Sequence, residues 1–152
     1  MSGFGIDIDE SRVCIFPDGA SKHDALDALI DAVALPGGVA DIELFRSAVY
    51  QREAVMSTGI GEGVAIPHVR FEGISQPAVG VGISRDGIDY GALDNAPVHI
   101  MVLFAMPAGA DKEYLDLLAQ VMLSLKTPGS SDALEACSTK AEVVEILRGL
   151  GS

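Results

Sequence analysis

The run Val98 to Met106 constrains this chain more than any other segment. Apart from His99 it is a nearly unbroken series of apolar residues, with no alternation that would leave one side for water. A strand of that kind needs cover on both faces, as the central strand of a sheet has. The longest apolar stretch, Ile100 to Ala110, is too short to cross a bilayer as a helix, so the run is not read as a membrane segment.

The cover must come from helices, and the sequence offers several. Ser21 with Asp24 three residues on resembles a capping box, and Leu26, Leu29, Ile30 and Val33 after it fall on one helical face. Pro36-Gly37-Gly38 ends that helix. Asp41 is placed to cap a second, running to about Met56, with Phe45, Ala48 and Val49 as its stripe. Asp111 is placed to cap a third, with Leu118, Val121, Met122 and Leu125 inward, stopped by Thr127-Pro128-Gly129. Ser131 is expected to cap a short fourth helix ending near Cys137. Thr139 with Glu142 forms a capping box for a last helix to about Leu150.

Shorter strands are expected at Arg12 to Phe16, ended by a Pro17-Asp18-Gly19 turn, at Val64-Ala65-Ile66, broken by Pro67, and at Ala78 to Ser84. Asp86-Gly87 and the residues to Asn95 read as a loop. Strands alternating irregularly with helices around a doubly covered strand imply an α/β fold: a three-layer domain with a mixed β-sheet flanked by helices on both faces. The 152 residues suit one such domain, 1–152, with no linker, repeat or low-complexity segment.

Composition narrows the partners. The formal net charge is −12, which repels nucleic-acid phosphates and anionic lipid and favours a protein partner with a basic face. Cys14 and Cys137 lie far apart and outside any CxxC pair, as expected of two free, buried thiols in a reducing compartment. The N-terminus has no basic region followed by an apolar one, so no signal peptide is expected and the protein reads as cytoplasmic, without direct membrane insertion.

The chemistry concentrates in Arg52 to Arg70, where Gly59, Gly61 and Gly63 precede a short strand, Pro67 and His68. The dinucleotide pattern GxGxxG fails, because Val64 stands where its last glycine belongs and these glycines follow a helix. No lysine follows them, so they are not an NTPase phosphate loop. Such glycines either make a flexible turn or let the backbone approach a ligand closely, leaving N–H groups for an anion.

His68 is read as lying just past a strand end, a common place for sites in α/β sheets. A lone histidine is more often a satisfied structural residue than a chemical one, but a neutral imidazole is a competent nucleophile toward phosphorus. Arg52 continues the apolar face of its helix, seven residues after Phe45 and three after Val49. It is either a helix-end cation covering apolar surface with its stem or the fork of donors for a bound phosphate. His99 opens the central strand, as a hydrogen-bonded core residue or as a third group of the same pocket. His23, in a first helical turn, and Glu62, among the glycines, read as solvated. No HxH, HxxxH or HxxE cluster supports a metal hydrolase, and neither metal nor cofactor is expected.

At these residues the chain resembles the enzyme IIA domains of the bacterial phosphoenolpyruvate-dependent sugar phosphotransferase system, in the fructose, mannitol and nitrogen-regulatory class. That signature reads roughly STGIG-x-G-[VI]-A-[IV]-P-H, and Ser57 to His68 reads STGIGEGVAIPH. Arg52-Glu53-Ala54, the segment Ile88 to Asp94 with Pro97-Val98-His99, and Ala141 onward resemble the family too. The resemblance implies that His68 is phosphorylated by an HPr-type phosphocarrier protein, with Arg52 near the phosphate. Ser57, Thr58, Gly59, Gly61 and Gly63 would then form the phosphate loop, and His99 would match the second histidine of mannitol-type members. It implies onward transfer to a cysteine of an enzyme IIB or, alternatively, phosphorylation-dependent binding to a regulated protein. Val69 departs from the Gly usual after the active histidine; a β-branched residue disfavours positive φ, so the backbone there is expected to differ.

Overall fold

The computed structural model describes residues 8–34, 39–55 and 58–149, the side chain of Ile60 excepted. The expected Pro36-Gly37-Gly38 stop, Met56, Ser57 and Leu150 lie outside them.

The strands are β1 (Val13–Ile15), β2 (Gly59–Gly61), β3 (Val64–Ala65), β4 (His68–Phe71), β5 (Ala78–Ile88) and β6 (Val98–Pro107). They form one mixed sheet in the order β1-β5-β6-β3-β2, with β4 also on β6. β6 is central: β5 runs antiparallel along one edge, while β3 and then β4 run parallel along the other.

The helices are α1 (Lys22–Ala34), α2 (Ile42–Val55), α3 (Asp111–Lys126), α4 (Ser130–Glu135) and α5 (Lys140–Gly149). β6 divides the core as its apolar pattern requires. Ile100, Val102, Phe104 and Met106 pack with Val121, Leu134, Val143 and Leu147 from α3, α4 and α5. Met101, Leu103 and Ala105 face the other way, onto Leu26, Leu29, Ile30 and Val33 of α1 and Phe45 and Val49 of α2. The chain is therefore the three-layer α/β fold with helices on both faces. Gly82 in β5 serves close approach, because a Cβ there would lie 2.4 Å from the Phe16 ring.

Local signals of fixed spacing hold. Asp24 N–H donates to Ser21 Oγ at 3.0 Å, and Asp41 Oδ1 accepts from Glu43 and Leu44 N–H at 3.1 Å each. Glu142 N–H donates to Thr139 Oγ1 at 3.2 Å while Thr139 N–H donates back to Glu142 Oε1 at 3.1 Å.

Four expectations change. Asp111 is the first residue of α3 and not its cap; its carboxylate pairs with Arg70. Ser131 does not cap α4, whose cap position is Gly129; Ser131 Oγ donates to Leu125 O at 3.2 Å instead. β5 continues through Arg85-Asp86-Gly87 to Ile88 across a register shift, where a loop was expected. Pro67 interrupts the extended chain but does not end it. Val64 pairs with Ile100, Ala65 with Met101 and His68 with Phe104, so the same register resumes beyond the proline.

Candidate functional site

His68 is the first residue of β4, where a position just past a strand end was expected, and is half-buried. Its Nδ1 lies 3.1 Å from the carbonyl oxygen of Ile66. A carbonyl only accepts, so Nδ1 carries the proton, and in the neutral ring Nε2 keeps its lone pair. Ile66 can offer that carbonyl because its N–H is committed away from β6, donating to Thr58 O at 3.0 Å, while Pro67 O takes the next β6 bond from Phe104 N–H.

Beneath this carbonyl lies a closed polar network. Glu53 is 8% exposed, on the inward side of α2. Its carboxylate accepts from Thr58 N–H at 3.0 Å, from Thr58 Oγ1 at 2.7 Å and from Lys22 Nζ at 2.8 Å. Thr58 spends its only hydroxyl proton there, so the Tyr90 hydroxyl donates to Thr58 Oγ1, at 2.8 Å. Lys22 Nζ also stands 4.2 Å from the centre of the Tyr90 ring. Burial opposes the charge on Glu53, but the hydrogen bonds from Lys22 and Thr58 outweigh it and hold the carboxyl below its usual range. Sequence reasoning passed over Glu53, although it lies four residues after Val49 on the stripe that drew attention to Arg52.

Arg52 is half-buried in the last turn of α2, and its charge acts on His68, Tyr90 and Tyr114. Arg70, two residues after His68 on the same face of β4, also acts on His68 and Tyr114. Burial lowers the pKa of His68, and the two guanidinium groups lower it further, against the opposing bond to Ile66. The ring is thereby biased toward its neutral form. Over one face of it lies Tyr114 of α3, stacked at 5.0 Å between centroids and 27° between planes. Tyr114 went unremarked in the sequence, yet it starts the stripe continued by Leu118, Val121 and Leu125.

Among the described residues, His99 is not brought to His68. His99 lies five positions before Phe104, the partner of His68, so strand rise alone puts it about 16 Å away along β6. Its Nδ1–H donates to Ser84 O at 2.9 Å, and Glu135 Oε1 is 3.4 Å from the same nitrogen. It fastens the end of the sheet where β5 shifts register.

The glycines approach the chain's own backbone. Gly59 faces Ala92, where a Cβ would lie 2.8 Å from the alanine Cβ, and Gly59 O accepts from Leu93 N–H at 3.0 Å. Gly61, Glu62 and Gly63 form a turn with φ of 98°, 58° and 79°, and the anion at its Glu62 N–H is the carboxylate of Asp94, at 3.0 Å. Gly63 O takes His99 N–H at 2.8 Å. Thr58 supports the site through Ile66, and Ser57 is not described. Val69 is extended in β4, in register with Ala105, with its side chain on the α1–α2 face. Among the described residues no helix is long and apolar enough to cross a membrane.

The family model described as "Phosphoenolpyruvate-dependent sugar phosphotransferase system, EIIA 2" matches residues 8–149. The chain is 30% identical to a PTS system fructose-specific EIIA component of Haloferax volcanii, over 84% of this chain and 83% of that protein. It is 29% identical to a PTS system fructose-specific EIIABC component of Bacillus subtilis over 86% of its own length, which spans only 20% of that longer protein. Among solved structures, the nitrogen regulatory protein IIA-Ntr of Neisseria meningitidis superposes with a TM-score of 0.80 at 25% identity, covering 91% of this chain and 94% of the other. The fold is also that of the Escherichia coli mannitol IIA solved in complex with phosphorylated mannitol enzyme IIB, with a TM-score of 0.78 at 18% identity over 94% and 98% of the two chains.

Proposed function

The chain belongs to the EIIA 2 family of the phosphoenolpyruvate-dependent sugar phosphotransferase system, and from that premise we propose that it carries a phosphoryl group on Nε2 of His68. The observation that carries this reading is the bond from Nδ1–H to Ile66 O, which leaves Nε2 as the nucleophilic nitrogen. In the step, the Nε2 lone pair forms the new N–P bond as the P–N bond of a phosphohistidine donor breaks. The electron pair of the broken bond returns to the donor ring, and the proton on Nδ1 stays in place against Ile66 O. Little other covalent chemistry is required, so the protein's work is orientation and charge. Arg52 supplies charge for the phosphoryl oxygens. His99 has no part at His68 in this reading.

The donor is an HPr-type phosphocarrier protein, met in the cytoplasm, and residues 1–152 act as one carrier domain. The acceptor is a cysteine of an enzyme IIB, a route supported by the fructose-system relative and by the mannitol IIA–IIB complex. A second reading is favoured by the nitrogen regulatory neighbour, in which the phosphorylated state is read by a regulated protein.

Labelling with a phosphorylated HPr-type protein tests the proposal. Native protein takes up phosphate and His68→Ala takes up none; a mutant labelled like the native chain would refute the assignment. Discharge of the label to a purified IIB supports the transport route, and retention in the presence of every cognate IIB favours the regulatory one.

A further inference from the structure

We propose that Tyr114 is a positioning residue for His68, fixing the face of the imidazole while Ile66 fixes its edge; the inference rests on the carrier reading above. A single hydrogen bond at Nδ1 leaves the ring free to rock about the line joining Nδ1 to the carbonyl. Rocking swings Nε2, at the opposite side of the ring, away from the line of attack. The stacked Tyr114 ring, 5.0 Å away, opposes that motion. Tyr114 is itself wedged, with its ring at 81° to Phe104 and 5.8 Å between centroids. Phe104 is fully buried and pairs with His68 in the sheet, so the three rings share one side of β4 and β6.

The helix that bears Tyr114 is tied to the strand that bears His68. Arg70 of β4 pairs with Asp111, the first residue of α3, one turn before Tyr114. His68 and Arg70 point to the same face, two residues apart, because side chains alternate along a strand. The pair therefore links the first turn of α3 to the strand that carries His68. In-line transfer is sensitive to placement, and an error of about 1 Å can cost about a hundredfold in rate.

Tyr114→Phe keeps the ring, and Tyr114→Ala and Tyr114→Leu remove it, the leucine retaining apolar volume if alanine impairs folding. Two measurements are made on each: labelling by a phosphorylated HPr-type protein, and the ring-nitrogen NMR shifts of His68 across pH, which need no donor. We expect Tyr114→Phe to label within about twofold of the native rate, and Tyr114→Ala and Tyr114→Leu about tenfold more slowly. In the ringless variants the midpoint of His68 moves up toward ~6.5, the value of an unburied histidine. A ringless variant with native rate and native His68 shifts would overturn the inference while leaving the carrier reading intact. Tyr114→Phe as slow as Tyr114→Ala would also overturn it, since the hydroxyl and not the ring face would then matter. Native protein that takes no label at all removes the carrier reading, and the inference with it.

Discussion

His68 carries its own acceptor two residues back in the chain, and that bond only partly offsets what burial and the nearby guanidinium groups do to its titration. Its midpoint lies below the ordinary ~6.5 because burial, Arg52 and Arg70 all disfavour the protonated ring. Labelling is expected to stay level as pH falls to about 6.5 and to drop only below that. An NMR midpoint above that value would contradict the environment described. The same sign governs stability: the unfolded chain holds this proton more tightly, so acidification through ~6.5 disfavours the fold.

Glu53 behaves oppositely. Its depressed pKa contributes stability that is present above ~4.3 and lost as pH falls through the folded value. Glu53→Gln should cost about 1–3 kcal/mol in urea unfolding at pH 7, with the difference from native vanishing in acid. At this scale the sequence exposed His68 and Arg52 through position. Glu53 and Tyr114 lay on equally readable stripes but needed the third dimension to name their partners. His99 was read from its place at the mouth of the central strand and from the resemblance, and the strand register that separates it from His68 is invisible in a motif.

Elements show what the glycines and the proline do. The β2–β3 hairpin lies against the segment at Ala92, and a Cβ on Gly59 would meet both the Cβ and the Cα of that alanine, at 2.8 and 2.9 Å. Backbone cannot yield as a flexible side chain does. Gly59→Ala should therefore cost about 1–3 kcal/mol and lower Tm accordingly, measured by thermal unfolding; an unchanged Tm would mean the hairpin is looser than described. Caps at Ser21, Asp41 and Thr139 were legible because their chemistry is contained in three residues. Asp111 and Ser131 were misassigned for a converse reason: their side chains answer to Arg70 and Leu125, far off or behind in the chain. β4 was missed although His-Val-Arg-Phe alternates polar and apolar, with Val69 and Phe71 packing toward α1 and α2. Pro67 masked it, because a proline usually stops a ladder, whereas here the pairing with β6 is interrupted and resumes in the same register at His68.

The whole molecule is strongly acidic, at a net charge of −12, yet two guanidinium groups act at His68. On the carrier reading proposed above, these features divide the labour of transfer: the overall field draws in a basic partner from a distance, while Arg52 acts only over the last few ångströms, on the phosphoryl group. Salt separates the two. The Debye length shrinks from about 10 Å at 0.1 M to about 3 Å at 1 M, so long-range attraction fades while contacts inside the docked pair are much less affected. We therefore expect kcat/KM for the phosphorylated donor to fall about tenfold between ~0.05 M and ~0.5 M salt, with kcat changing far less. Stopped-flow or quench measurements of labelling across that range would check it. A rate indifferent to salt would instead shift the weight of recognition to apolar contact. Leu115, 60% exposed beside Tyr114 on α3, and Leu93, 70% exposed in the segment above β2, would then be the residues to replace.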